Sequence, residues 1–304
     1  MSSWAPPACP EGYETVRGAR GWLVHERGAG ERLARAGFGP DGGERLPASN
    51  IRGRGTLESL GGGKERWLVR RFRHGGWFRA LGEHGFVQPA RPFQELANAC
   101  ALAALRLPTA RVVAARALKA VPFGWRLCLV SARIEGVRDG AELLEELRAG
   151  TLRAPSRAVL FHAAGELVGR MHTARFLHAD LHPRNLLFDS EARAWVLDLD
   201  RGRFLAHMNE GVRRDNLRRL FRAVRRLEAR GRDFLTRGDF RRFFKGYARG
   251  FGPGLDWRAD WRAILRRHRA RSPVHEVGWW LERLLGSGPR IRDGSASARD
   301  MKST

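Results

Sequence analysis

At 304 residues the chain is long enough to bury a sizeable core, and its length suits one two-lobed domain or two small ones. With 56 Lys and Arg against 32 Asp and Glu it carries a formal net charge of +24, so an anionic partner is expected: nucleic acid, an anionic lipid or a phosphorylated membrane surface, unless part of the arginine only solvates outer faces. Three scattered cysteines with no C-x-x-C pair exclude a disulfide frame or a zinc site, and no signal-type apolar segment or run of about 18 apolar residues occurs, so a chain that stays in the cytoplasm and touches a membrane only from outside is expected.

Residues 1–16 hold three prolines and no periodicity, and read as a flexible or loosely docked lead. Gly21–His25 reads as an early strand and residues 28–38 as a short helix. From Ile51 the pattern becomes strand, Gly-rich turn, strand, Gly turn, strand. Gly53 and Gly55, in Gly53-Arg54-Gly55-Thr56, leave backbone N–H groups free of a Cβ and able to approach phosphate oxygens. The strand Trp67-Leu68-Val69-Arg70 ends in a basic side chain, and alternation sends Arg71 to the opposite face. After the basic, aromatic turn Arg73–Trp77, a helix is expected from Pro92 to Arg106, with Phe93, Leu96, Ala97, Cys100, Ala101, Ala104 and Leu105 as its apolar stripe. Glu95 lies off that stripe and is the natural partner for Arg70. Residues 107–134 read as two strands around Pro122-Phe123-Gly124, Ala141–Arg148 as a short helix, and Ser156 as the cap of a long helix to Thr173. His162 and His172 on that helix read as packing or surface residues.

The stretch from His178 to Asp200 organises the rest. Asp180 precedes Asn185 by five residues, and Asp198 ends the apolar run Trp195-Val196-Leu197. Leu186-Leu187-Phe188 and Trp195–Leu197 flank the polar DSEARA and read as a hairpin. Phosphoryl transfer needs a carboxylate that orients or deprotonates the acceptor hydroxyl, and hard oxygen ligands for Mg²⁺ on the triphosphate. Asp180 suits the first task, Asn185 and Asp198 the second, and His178 reads as a prop for the loop. Beyond it, Asp215 opens a basic amphipathic helix with Leu217, Leu220, Phe221 and Val224 inward and seven Arg among residues 213–226. Helices follow about Asp239–Arg249, Asp256–Ala270 and Pro273–Leu285. Their Trp257, Trp261, Trp279 and Trp280, interleaved with Arg, suit either a membrane interface or a core. The tail 286–304 is polar and Gly/Ser-rich, hence disordered.

The order H-x-D-x-x-x-x-N then D-x-D resembles the protein-kinase-like superfamily. Within it the chain resembles the bacterial 3-deoxy-D-manno-octulosonic acid (Kdo) kinases, a lipopolysaccharide kinase family. The resemblance rests on G-R-G-T at Gly53–Thr56, L-V-R-R-F-R-H-G-G at Leu68–Gly76, F-Q-E at Phe93–Glu95, H-A-D-L-H-P-R-N at His178–Asn185, L-D-L-D-R at Leu197–Arg201 and the later R-D-N-L-R-R-L. It implies an α+β, bilobal protein-kinase-like fold: a small antiparallel-sheet N-lobe with one helix at 17–134, a mainly helical C-lobe at 135–285, and a hinge at Val130–Gly136 that meets an adenine ring. It also implies ATP and Mg²⁺ as cofactors, with Asp180 as catalytic base and Asn185 and Asp198 as metal ligands. Arg70 and Glu95 would position phosphate, and Gly53, Arg54, Gly55 and Thr56 would cover it. Arg70 departs from the lysine usual there, although a guanidinium can still pair carboxylate and phosphate. The implied reaction is transfer of the ATP γ-phosphate to the 4-hydroxyl of Kdo on Kdo-lipid A, at the cytoplasmic side of the bacterial inner membrane. The chain would be peripheral to an anionic surface, with no nucleic acid partner; the oligomeric state is not implied. A core heptose kinase or another small-molecule kinase is the alternative. An inactive kinase-shaped module binding lipid or nucleic acid is the rival of another class, suggested by the charge and by Arg70 in place of lysine.

Overall fold

The computed structural model describes residues 4–43, 57–60, 65–73, 85–121, 123–228 and 234–264. Strands β1 (Tyr13–Arg17), β2 (Gly21–Glu26), β3 (Leu57–Leu60), β4 (Trp67–Arg71), β5 (Val112–Lys119) and β6 (Trp125–Ala132) form one antiparallel sheet in the order β1-β2-β5-β6-β4-β3. The sheet interior is apolar on both faces because β5 and β6 are covered on both. Leu127 and Leu129 join the cluster of α2 (Arg91–Ala104), while Cys128 and Val130 join Trp67, Val69 and the Leu33 of α1 (Gly30–Arg35). That alternation decides where the strand charges go: Trp67 and Val69 take one face of β4, so Arg70 is turned to the other, beneath α2. Arg116 is fully buried on β5, with its guanidinium over the Phe38 ring at 3.7 Å and bonded to the Gly39 carbonyl at 3.1 Å.

The helical lobe follows β7 (Arg138–Asp139). Helix α3 (Gly140–Ala149) starts at a capping box between Asp139 and Glu142, and α4 (Arg157–Thr173) leads into β8 (Phe176–Leu177) and the central loop. There β9 (Leu186–Phe188) and β10 (Ala194–Val196) make the expected hairpin, with β7 on the outer side of β9, and β11 (Arg203–Phe204) returns to β8. Helices α5 (Glu210–Glu228) and α6 (Arg237–Phe251) complete the lobe, followed by helical residues 257–264.

Helices α4 and α6 meet backbone to backbone. A Cβ on Gly165 or Gly169 would overlap the carbonyl oxygens of Phe243 and Tyr247, and one on Gly246 or Gly250 those of His162 and Glu166. Each helix therefore presents a G-x-x-x-G seam to the other. One apolar cluster runs from the underside of the sheet through Leu96 and Leu102 to Leu167, Met171, Phe244 and Tyr247, so the two lobes share a core.

Several expectations are corrected. Tyr13–Arg17 is an edge strand and Trp4 packs on Phe93 and Trp125, so the described part of the lead, residues 4–16, is tied down through aromatic contacts that its composition hid. Helix α2 ends at Ala104, because Arg106 adopts a left-handed backbone (φ 55°), and Leu105 is exposed rather than part of the stripe. Ser156 sits at the N-cap of α4 without a side-chain cap bond. Helix α5 begins five residues before Asp215, where the Asn209 side chain accepts the Val212 N–H at 2.9 Å. Trp257 and Trp261 are packing residues, stacked among Phe240, Phe244 and Phe221. Gly53–Thr56, the His74–Trp77 part of the basic turn, Trp279, Trp280, the Pro273–Leu285 helix and the 286–304 tail lie outside the described residues.

Candidate active site

The central loop is pinned by one imidazole. His178 is buried, its Nε2 donates to the Leu197 carbonyl at 2.8 Å, and its Nδ1 accepts the Asp180 N–H at 3.2 Å. Both bonds need the neutral ring with its proton on Nε2, and burial, the largest influence on this group, lowers its pKa in the direction that keeps it neutral. His178 is thus the prop expected of it.

Asn185 closes the loop from the other end. Its Nδ2 donates to the Asp180 carbonyl at 2.8 Å, so its Oδ1 is the end left for a ligand, while its own carbonyl accepts the Leu197 N–H at 2.9 Å. Leu197 is therefore bonded to both His178 and Asn185, and Asp198 follows directly. Asp198 holds a left-handed backbone (φ 60°), a conformation that aspartate tolerates better than most residues and that turns the chain sharply at the end of β10.

Arg70 reaches this turn from the sheet. Its Nη1 donates to Asp198 Oδ1 at 2.7 Å and its Nη2 pairs with Glu95 on α2, so one guanidinium joins both lobes. Burial by itself would lower the Arg70 pKa, but Glu95 and Asp198 outweigh it and hold it raised. Burial lifts Glu95 up to about 7 against the opposing pull of Arg70. The expected Arg70–Glu95 partnership is present, although Glu95 is buried rather than on an open face of the helix.

Three residues escaped the sequence reading. Arg91 bonds Asp200 through Nε at 3.0 Å, the buried Asn98 amide donates to the Leu199 and Gly202 carbonyls at 2.8 Å each, and the Asn216 amide donates to the His178 carbonyl at 2.8 Å. Arg91, Glu95 and Asn98 recur at helical spacing, a polar stripe inside an apolar helix that could have signalled a face turned toward charge. His172, whose pKa burial lowers to about 4, links Asn216 to the Tyr247 hydroxyl.

The donor set at the turn fits a hard cation: carboxylate and carboxamide oxygens of Asp198 and Asn185, with no sulfur. Among the described residues no group of three or more His, Cys, Asp or Glu gathers around a point. Of the expected hinge Val130–Gly136, residues 130–132 end β6 and 133–136 lie in the connection after it. No described helix is long and apolar enough to cross a membrane.

The chain is 29% identical over 226 residues to the 3-deoxy-D-manno-octulosonic acid kinase of Xanthomonas axonopodis pv. citri, covering 71% of this chain and 86% of that protein. It is 28% identical over 247 residues to the enzyme of the same name from Xanthomonas oryzae pv. oryzae, covering 78% and 94%. A solved chain from WaaP in complex with acyl carrier protein aligns over 80% of this chain and 89% of its own length, at 19% identity and a TM-score of 0.46. The model of the lipopolysaccharide kinase (Kdo/WaaP) family matches residues 48–247, more than half of the chain. With a kinase-like fold of sheet lobe and helical lobe around the Asp180–Asp198 turn, the protein is a phosphotransferase and belongs to the lipopolysaccharide kinase (Kdo/WaaP) family.

Proposed function

We propose that the protein transfers the γ-phosphate of ATP to the 4-hydroxyl of Kdo on Kdo-lipid A, working peripherally at the cytoplasmic face of the inner membrane. The observation that supports this reading is the tie from His178 through Leu197 to Asn185, which joins the loop of Asp180 to the segment leading into Asp198, where Arg70 binds. Relatives named as Kdo kinases support the choice of acceptor. The net charge of +24 suits a phosphorylated, carboxylated acceptor in an anionic leaflet.

In this reading Asp180 accepts or orients the proton of the attacking hydroxyl. Asn185 and Asp198 hold Mg²⁺, which when bound offsets the charge of the triphosphate. Arg70, aimed by Glu95, holds the phosphates, and Gly53, Arg54, Gly55 and Thr56 cover them. His178 and Asn98 do not touch substrate; they keep the turn in place.

Purified protein incubated with labelled ATP, Mg²⁺ and Kdo-lipid A should place one phosphate on Kdo. Mass spectrometry that finds the label on a heptose, or on no sugar at all, would overturn the reading.

A further inference from the structure

Three large apolar side chains stand open to solvent at one corner of the sheet. Val87 is 88% exposed, Val121 86% and Phe123 68%. They belong to two segments that the backbone binds together. The Phe86 and Trp125 main chains exchange hydrogen bonds of 3.2 and 2.9 Å, and Ala120 N–H closes the β5–β6 turn on the Gly124 carbonyl at 2.9 Å. Gly124 takes φ 83° and lies so close to Gly85 that a Cβ would overlap it. Behind them Phe86 and Trp125 are buried and Trp4 packs on Trp125, so the corner has a rigid apolar base from which the three side chains project.

Cations border this corner. Lys119 ends β5, Arg126 is the second residue of β6, and the Arg20 carbonyl accepts the Lys119 N–H at 2.8 Å. None of the three makes a side-chain ion pair among the described residues; the Asp41 carboxylate accepts the Arg20 main-chain N–H. The corner is also on the side of the active-site turn. Val87 runs straight into α2, whose first residue, Arg91, holds Asp200.

We propose that this corner, Val87, Val121 and Phe123 with Arg20, Lys119 and Arg126 around them, docks on the surface of an anionic lipid bilayer. Exposed apolar side chains inside a basic border match the interface of such a membrane, where acyl chains lie beneath negative headgroups. A second copy of the chain is a poor occupant, because it carries the same +24. The inference rests on the proposed lipid-linked acceptor for its purpose: docking here would bring the active-site turn to the membrane that holds it.

The test is co-sedimentation of the full-length protein with vesicles of phosphatidylglycerol and phosphatidylethanolamine, or of phosphatidylcholine alone. Wild type should bind the anionic vesicles at least tenfold more strongly, and added salt should weaken that binding. The combined variant Val87→Ser, Val121→Ser, Phe123→Ser should lose at least tenfold of it while phosphorylating free Kdo at the wild-type rate. Val159→Ser, at a half-exposed site on α4, should bind as wild type. Undiminished binding by the triple variant, equal binding to neutral vesicles, or a dimer in sedimentation velocity that the triple variant abolishes would each overturn the proposal. Wild type that phosphorylates Kdo yet ignores vesicles sinks the docking surface alone. Wild type that binds through this corner yet phosphorylates no Kdo acceptor sinks the enzyme reading and leaves the surface standing.

Discussion

The Asn216 side chain on α5 donates to the His178 carbonyl at 2.8 Å, and its Oδ1 accepts from His172 Nε2 at 3.1 Å. A carbonyl can only accept, so the first bond fixes which way the amide faces, and the second then requires the proton of His172 on Nε2. The other nitrogen, Nδ1, accepts from the Tyr247 hydroxyl at 2.7 Å. The catalytic loop thus hangs from a buried polar chain that reaches α6. Asn216→Ala leaves a buried carbonyl and a buried N–H without partners, which costs roughly 2–4 kcal/mol of stability. Loosening His178 should also lower kcat by about 10- to 100-fold, with KM for ATP changing less. Steady-state kinetics and urea unfolding of the variant check both; a variant with wild-type kcat would show that the loop holds itself.

Arg70 spans two carboxylates with one planar fork, and an ammonium does not reproduce that span. Arg70→Lys should lower kcat/KM for ATP by about tenfold, and Arg70→Ala by about 10²–10³, the cost usual for losing a preorganised charge at a reacting phosphate. If the lysine variant matches wild type, the double pairing is unimportant.

Asp180 and Asp198 should separate by kinetics. Asp180→Asn is expected to abolish turnover while ATP still binds, because the proposed mechanism puts its carboxylate at the acceptor hydroxyl. Asp198→Asn should weaken Mg-ATP itself. Calorimetric titration of Mg-ATP into both variants distinguishes them, and equal affinities would sink the division of labour.

Burial lowers the His172 pKa from 6.5 to about 4, so the folded protein holds this ring neutral where the unfolded chain would protonate it. The stability it contributes is intact above 6.5 and is lost as the pH falls from 6.5 through 4, about 3 kcal/mol in all. His178 is shifted in the same direction. Urea unfolding across that range should show the loss, and His172→Gln should flatten it; parallel curves for the two proteins would contradict the assignment.

The glycine seam between α4 and α6 gives a sharp packing test. Gly165→Ala and Gly246→Ala each put a methyl group against a carbonyl oxygen and should cost about 1–3 kcal/mol or more. Gly39→Ala, where nothing stands within 4 Å, should stay within about 0.5 kcal/mol. Thermal melts of the three variants decide the point.

What the sequence disclosed was governed by spacing along the chain. The hairpin around DSEARA and the turning of Arg70 away from Arg71 both follow from local period and survive in the structure. The contacts of Asn98 and Asn216 were hidden because each joins residues far apart in sequence, and a lone amide on a helix carries no local mark of its partner. The burial of Glu95 was not legible for a related reason: a helical pattern marks a face as polar, whereas only the arrival of β4 shows that this face is covered. The early start of α5 was legible in Asn209, an ordinary capping residue beside the more conspicuous Asp215.

Helix α2 is fastened to the active-site turn at three successive points: Arg91 to Asp200, Glu95 through Arg70 to Asp198, and Asn98 to the carbonyls of Leu199 and Gly202. A helix moored along its whole near side has no idle posture to which it could swing without tearing all three attachments. Helix α2 and the turn therefore form one unit, in which Arg70 already joins Glu95 to Asp198 before any ligand arrives.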